Sequence, residues 1–305
     1  FRIMKVLIAT LTLVLFSQLL PAQESNDSYT TLWAKVHKLE KDALTKSALE
    51  IVQNISAKAK KESNYSQIVK SLLFTSKYAL ILEEDAQLKI INDLKNEISS
   101  AKFPVSNILE SYLANLYWQY FQQNRYQFYN RTTTEAKIDS VDFRTWDLTT
   151  LFHEISHHFE KSLHNPEGLQ KELLKNFQDI IDSQEGSEIY RPTLFDLLAH
   201  TALQFYKTDE TSITRPIDKF EIDNPELLCE AYAFTQLNIP NSDETSLQAK
   251  ALDLYQQLVS FHFSNPNLKP LVEVDIERLN YTYSKAVFPN KDSVLLEVLK
   301  ESAEN

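Results

Sequence analysis

The sequence of 305 residues contains only two glycines, Gly168 and Gly186, where average usage would give about twenty. Tight hairpins, phosphate-binding loops and nucleophile elbows all need residues at positive φ, which glycine adopts most easily. Helices joined by polar connections need far less glycine. The scarcity of glycine therefore disfavours those architectures and indicates an all-α protein.

Cysteine is also scarce, and the 31 basic residues are outnumbered by 42 acidic ones. Cys229 is the only cysteine, so no internal disulfide can form, and its apolar neighbours favour a small buried side chain over a nucleophile. The formal net charge is −11 and the pI is about 5.2. An acidic surface repels the phosphates of nucleic acids and of anionic membranes, so we expect neither as a partner.

The N-terminus has the pattern of a signal peptide. Met4, the only methionine, is followed by a basic residue and an apolar run over residues 6–20. This run is shorter than the roughly 20 residues of a spanning helix, and Ala22 offers a small residue for cleavage. We predict a signal peptide over residues 1–23, of which 1–3 are upstream or non-native. The mature chain is then exported to the periplasm or cell surface, without a membrane span.

Apolar residues recur at helical spacing along the mature chain. The first five stripes predict five amphipathic helices with short connections, which makes successive helices antiparallel. We predict an array of antiparallel α-hairpins resembling a tetratricopeptide-like solenoid, although the consensus signature of that repeat is absent. The stripes are Trp33, Val36 and Leu39; Leu49, Val52, Ile55 and Ala59; Ile68, Leu72 and Leu73; Leu88, Ile91, Leu94 and Ile98; and Val105, Ile108, Tyr112, Leu116 and Tyr120.

Changes in composition divide the chain further. Residues 24–123 form the first predicted α-hairpin array, residues 124–145 a polar junction, and residues 146–305 a second helical segment that we expect to continue beyond the given sequence. Capping residues mark the helix starts in the second segment. These signals are Asn165-Pro166-Glu167, Asn224-Pro225-Glu226, and Thr193 with Asp196 before a helix over residues 194–206. Later helices are predicted over about 246–263, 271–287 and from 291 onward.

The one motif that suggests chemistry is His153-Glu154-Ile155-Ser156-His157. Two histidines one helical turn apart can share a zinc ion, and the glutamate between them is then the base that deprotonates a zinc-bound water. On a helical wheel both imidazoles lie opposite the apolar face. That face consists of Leu148, Leu151, Phe152, Ile155, Phe159 and Leu163.

The third ligand of such a zinc site is not identifiable. The longer metzincin pattern requires glycine and histidine where this chain has Glu160 and Leu163, which excludes it. Glu226 and Glu230 are the best-placed glutamates on a later segment, but nothing singles them out. We therefore favour a solvent-facing, histidine-rich helix, and assign no catalytic residue, cofactor site or metal ligand. The metallopeptidase remains the alternative.

Three other features have a structural and a functional interpretation. The aromatic run over residues 112–131 could bind a sugar or a peptide, but we favour a buried helix whose tyrosine hydroxyls reach water at its rim. Arg144, Arg191 and Arg215 are expected to pair with helix-end carbonyls or acids. His200 could be a ligand, but we expect a hydrogen-bonded structural histidine.

Several stretches along the chain together carry a family resemblance. The stretches are Lys46-Ser47-Ala48-Leu49-Glu50, Lys58-Ala59-Lys60-Lys61-Glu62, Ala101-Lys102-Phe103-Pro104-Val105, Leu116-Tyr117-Trp118-Gln119-Tyr120, Tyr129-Asn130-Arg131-Thr132, Arg144-Thr145-Trp146-Asp147-Leu148, Arg191-Pro192-Thr193-Leu194-Phe195-Asp196 and Thr214-Arg215-Pro216. They resemble the N-terminal region of large exported bacterial proteins of the alpha-2-macroglobulin family. The resemblance spans most of the mature chain but contains no functional motif.

The resemblance implies a helical segment that precedes a series of β-sandwich domains in a protease trap. The family's thioester is not carried over, because Cys229 is followed by Glu230-Ala231-Tyr232 and not by Gly-Glu-Gln. We therefore expect a non-enzymatic segment of a protease inhibitor, with target proteases as partners of the full-length molecule. Besides the zinc metallopeptidase, a free-standing helical-repeat scaffold that binds proteins is a further alternative.

Overall fold

The computed structural model describes residues 27–129, 142–181, 184–209, 219–241 and 243–304. These residues form α-helices, short 3-10 helices and connecting segments but no β-strand, and a single isolated antiparallel bridge joins Leu173 to Thr193. The all-α class is confirmed, whereas the solenoid arrangement stays a prediction. The signal peptide predicted over 1–23 lies outside the described residues.

The α-helices are numbered in chain order. They are α1 (Tyr29–Lys41), α2 (Thr45–Glu62), α3 (Tyr65–Leu82), α4 (Ala86–Ser100), α5 (Val105–Tyr129), α6 (Leu148–Ser162), α7 (Pro166–Lys171), α8 (Leu194–Tyr206), α9 (Ala231–Gln236), α10 (Leu247–Phe263), α11 (Lys269–Lys285) and α12 (Lys291–Glu304). None of these helices combines the length and the apolar character that crossing a membrane requires.

The described residues divide into two compact units, one ending at Ile55 and the other beginning at Ser56. In the first unit, α1 begins after Ser28, whose side chain accepts a hydrogen bond from the Thr31 backbone N–H. This helix buries Leu32, Trp33 and Val36, which face the same side at helical spacing. The described ends of the predicted junction, residues 124–129 and 142–145, belong to the second unit.

In the second unit, helices that follow one another in the chain pack together. α3 packs on α4, α4 on α5 and α5 on α6. Later in the chain α8 packs against α5 and α10, and α10 packs against α9 and α11. α8, α10 and α11 therefore form one packed group, which brings polar side chains from distant parts of the sequence together.

α5 is longer than its apolar pattern predicts. It continues to Tyr129, although the periodicity ends near Asn124, which has non-helical angles of φ −116° and ψ 18°. The last turns are held by Phe128, which is 2% exposed and packs on Phe121 with ring centroids 5.6 Å apart. The start of the predicted polar junction is therefore helical, while residues 130–141 lie outside the described part of the chain.

The predicted helix starts depend on capping side chains that the structure contains. Thr193 and Asp196 form a reciprocal capping box at the start of α8. Asn165 caps α7 by accepting from the Gly168 backbone N–H. Asn224 caps only a 3-10 turn over Pro225–Leu227, where the sequence predicted the start of an α-helix.

Candidate functional site

α6 carries the His-Glu-x-x-His motif on an exposed helix face. Its N-terminus is capped by Asp147, which accepts a hydrogen bond of 2.8 Å from the Thr150 backbone N–H. His153 and His157 are exposed. Four residues of the predicted apolar face are buried, namely Leu148, Leu151, Ile155 and Phe159. The predicted division of α6 into an apolar and a histidine face is confirmed for these residues.

The two motif histidines lie one turn apart, with nearly parallel rings whose centroids are 6.4 Å apart. Among the described residues, no third ligand converges on them, because the single group of three converging His, Cys, Asp or Glu ligand atoms lies elsewhere. Glu230 accepts hydrogen bonds from two backbone N–H groups at the start of α9. Glu226 lies in the 3-10 turn before it. Neither glutamate joins the histidines in a ligand group.

Glu154, the general base of the metallopeptidase interpretation, contacts other groups. Its Oε1 accepts a hydrogen bond of 3.3 Å from Lys95 Nζ on α4, and the same oxygen lies 3.5 Å from His158 Nε2. On the other side of the ring, His158 Nδ1 lies 2.5 Å from Glu110 Oε2 on α5. Glu154 therefore belongs to a polar cluster of α4, α5 and α6 that includes a histidine outside the motif.

His158 is the buried histidine of α6, only 6% exposed, and its ring stacks on Tyr117 at 5.9 Å between centroids. Burial alone opposes its charged form, but the contacts with Glu110 and Glu154 outweigh burial and raise the pKa of His158. His158 was not predicted as a site residue from the sequence. Its only signal in the sequence is that it directly follows His157, the last residue of the motif.

The first part of the aromatic run of α5 is packed inside the unit, as predicted, whereas Tyr126 and Tyr129 near its end are 83% and 41% exposed. Leu113, Tyr117, Trp118 and Phe121 are buried. The prediction that its tyrosine hydroxyls reach water is wrong for Tyr117, whose hydroxyl is buried without a hydrogen-bond partner. Burial raises the pKa of this hydroxyl, and the nearby Glu154 carboxylate adds to the effect. Tyr117 therefore acts as an apolar packing residue beside His158.

A second polar cluster joins α8 to α11. His200 on α8 is 6% exposed, and its Nε2 lies 3.4 Å from Glu277 Oε2 and 3.7 Å from Glu273 Oε2. Its other ring nitrogen, Nδ1, donates a hydrogen bond of 2.8 Å to the Asp196 carbonyl oxygen. The expected structural hydrogen bond of His200 is present. The two glutamates on α11 were not identified from the sequence.

The outer oxygens of the two glutamates contact cations. Arg191 Nη2 donates to Glu273 Oε1 at 2.6 Å, and Lys207 Nζ donates to Glu277 Oε1 at 2.5 Å. Although burial alone raises the pKa of Glu277, its contacts with His200 and Lys207 outweigh burial and lower that pKa to about 2. Glu277 is therefore a carboxylate at neutral pH.

The other predicted positions have structural partners or lie outside the described residues. Arg144 pairs with Asp142 at 2.8 Å and with Asp85 at 2.9 Å, and Arg191 pairs with Glu273, in agreement with the predicted pairing to acids. Arg215 lies outside the described residues. Burial raises the pKa of the free Cys229 thiol to about 11, which disfavours the thiolate that a nucleophile needs.

Comparison of the chain with protein-family models, with curated protein sequences and with solved structures gives no match. The resemblance to alpha-2-macroglobulins therefore stays a prediction that depends on the residues quoted above.

Proposed function

We propose that this chain is a non-enzymatic helical segment of an exported alpha-2-macroglobulin-like protein, and that it contributes interaction surface to a molecule that traps proteases. The family and the target proteases come from the sequence resemblance. The all-α fold of the described residues is compatible with a helical segment that precedes β-sandwich domains.

The observation that carries the non-enzymatic assignment is the position of Glu154. A metallopeptidase base must face a water bound to a metal that the two motif histidines hold. Here Glu154 instead contacts Lys95 and His158, in a cluster that joins three helices. These contacts support a structural role for the motif glutamate.

An exposed apolar row supports the interaction role. Leu268, Val272 and Ile276 follow one another at intervals of four at the start of α11, with 59%, 53% and 52% exposure. Residues at this spacing lie on one face of a helix. A contiguous exposed apolar row is unusual on an isolated soluble surface and is typical of protein contacts. We assign this row to contact with another domain of the full-length protein.

The test uses the full-length exported protein mixed with an active protease. A trap protects large protein substrates while the enclosed protease still cleaves small peptides. We expect this protection, and we expect the double variant Val272→Asp/Ile276→Asp to reduce it. The control is Leu44→Asp, which changes an isolated exposed leucine on the first unit. Cleavage of both substrates in the presence of the unmodified protein, or full protection by the double variant, would contradict the proposal.

A further inference from the structure

We propose that His200, Glu273 and Glu277 bind one divalent transition-metal cation of the zinc type, which ties α8 to α11. This inference is independent of the proposed function and concerns residues other than the His-Glu-x-x-His motif. The three side chains offer one imidazole nitrogen and two carboxylate oxygens, a donor set that zinc accepts in proteins.

The ligand atoms are oriented as a metal site requires. His200 Nε2, Glu273 Oε2 and Glu277 Oε2 are all buried without a hydrogen-bond partner, and all three lie within 4.8 Å of one another. Ligands that surround a tetrahedral zinc at about 2.1 Å are themselves about 3.4 Å apart. The observed nitrogen–oxygen separations of 3.4 and 3.7 Å are close to that spacing.

The same distances are long for a simple ion pair. A charged imidazole that donates to a carboxylate makes a bond of about 2.7–2.9 Å. Arg191 and Lys207 donate to the outer oxygens of the same carboxylates at 2.6 and 2.5 Å, and Arg191 Nη2 also lies 3.8 Å from the inner oxygen Glu277 Oε2. The inner oxygens of Glu273 and Glu277 and His200 Nε2 therefore surround a common point, and neither oxygen is close enough to the imidazole for a direct ion pair. A cation at that point would satisfy three buried atoms that lack partners.

The surroundings of the ligands are those of a metal site. Metal-binding histidines commonly donate their other ring N–H to a backbone carbonyl, which sets the tautomer and the ring orientation. His200 makes this bond to Asp196. Arg191 and Lys207 orient the two carboxylates by donating to their outer oxygens. The side chains of Glu273 and Glu277 are 29% and 27% exposed, so the buried ligand atoms lie close to the surface.

The probe is zinc chloride, titrated calorimetrically into chain treated with a chelator. We expect one zinc ion per chain and a higher midpoint of thermal unfolding with zinc. Glu273→Gln and Glu277→Gln keep the side-chain shape but remove a ligand charge, and each should weaken binding at least tenfold. The matched control is His153→Ala/His157→Ala, which should leave zinc affinity unchanged. Unchanged affinity in both glutamine variants, or loss of binding in the histidine control, would overturn the site.

A second measurement needs no variant and therefore does not depend on how the variants fold. X-ray absorption at the zinc edge of the loaded chain distinguishes one imidazole ligand from two. The His200 site predicts a single imidazole with oxygen ligands. Two imidazoles would assign the ion to His153 and His157 and would overturn the proposal, as would the failure of the chain to take up zinc.

Discussion

Asp196 on α8 and His262 on α10 form a buried pair, in which Asp196 Oδ1 lies 2.6 Å from His262 Nε2. The two side chains are 0% and 1% exposed. The other carboxylate oxygen accepts hydrogen bonds from the backbone N–H and the hydroxyl of Thr193, at 2.9 and 2.7 Å. The Asp196 side chain therefore caps the start of α8 and links α8 to α10, one helical turn before His200.

Replacing Asp196 with alanine should destabilise the protein strongly. The change removes half of the capping box and leaves His262 Nε2 buried without its hydrogen-bond partner, which together should cost about 2–4 kcal/mol. Ser246→Ala is the control, because it removes an ordinary N-cap at the start of α10 and should cost about 1 kcal/mol. Urea unfolding gives both values. Equal losses in the two variants would show that the Asp196–His262 contact adds nothing to capping.

His158 should stabilise the protein more at acidic than at alkaline pH. The groups that face or surround it are Glu110 on α5, Lys95 on α4, and Glu154, His157 and Lys161 on α6. Because its folded pKa is raised, its ion-pair contribution is complete below the unfolded pKa of about 6.5 and is lost as pH rises through the folded pKa. The stability difference between the unmodified chain and His158→Gln should therefore shrink above about pH 6.5.

The neighbouring His157 provides a control of opposite sign. Although His157 is exposed, partial desolvation of its ring lowers its pKa, and the charges of Lys161 and His158 add to the effect. A lowered pKa means that the folded state disfavours the proton, so the unmodified chain should gain stability relative to His157→Gln as pH rises. Urea unfolding across pH 5–9 measures both differences. If the two stability differences changed with pH in the same direction, the environments assigned to His157 and His158 would be contradicted.

Arg278 is expected to be essential for the packing of α11. It is 0% exposed, its Nε donates to Asp275 Oδ1 at 3.0 Å, and its Nη2 donates to the Cys229 carbonyl at 2.9 Å. The guanidinium also lies 4.4 Å from the ring centre of Phe234. Arg278→Met should cost about 3–5 kcal/mol, because it leaves Asp275 buried with an uncompensated charge.

A second substitution separates charge from packing at this position. Adding Asp275→Asn to Arg278→Met removes the uncompensated charge and should recover part of the loss. Chemical unfolding of the single and double variants gives the comparison. If Arg278→Met cost less than about 1 kcal/mol, the ion pair would contribute little beyond a typical surface contact.

The non-enzymatic and the metallopeptidase interpretations of α6 differ in the peptidase activity that they predict. The non-enzymatic assignment predicts that zinc-loaded chain has no peptidase activity that depends on Glu154. It also predicts that His153→Ala/His157→Ala changes stability by less than about 0.5 kcal/mol, as expected for exposed side chains. Hydrolysis of a quenched peptide library, with Glu154→Gln as the comparison, checks the first point. Activity that Glu154→Gln abolishes while the fold is retained would establish the alternative.

Features encoded within a few neighbouring residues could be predicted from the sequence. The start of α8 follows from Thr193 and Asp196, because a capping box spans only four residues. The faces of α6 follow from the helical period, which places His153 and His157 opposite Ile155 and Phe159.

Partners between distant helices could not be predicted in this way. Periodicity shows which side of a helix is buried but not which helix covers it. The convergence of Glu273 and Glu277 on His200 therefore required the packing of α8 and α11. The spacing of four between the two glutamates was the one signal in the sequence, and such pairs are common on exposed helices. Likewise, the contact between His158 and Glu110 follows only from the packing of α5 against α6.

The proposed function is tested most directly by the sequence of the gene downstream of the codon for Asn305. The proposal predicts an open frame that continues into a long series of strand-rich β-sandwich domains. A stop codon within a few residues would contradict it, because the trap would then lack the domains that enclose a protease.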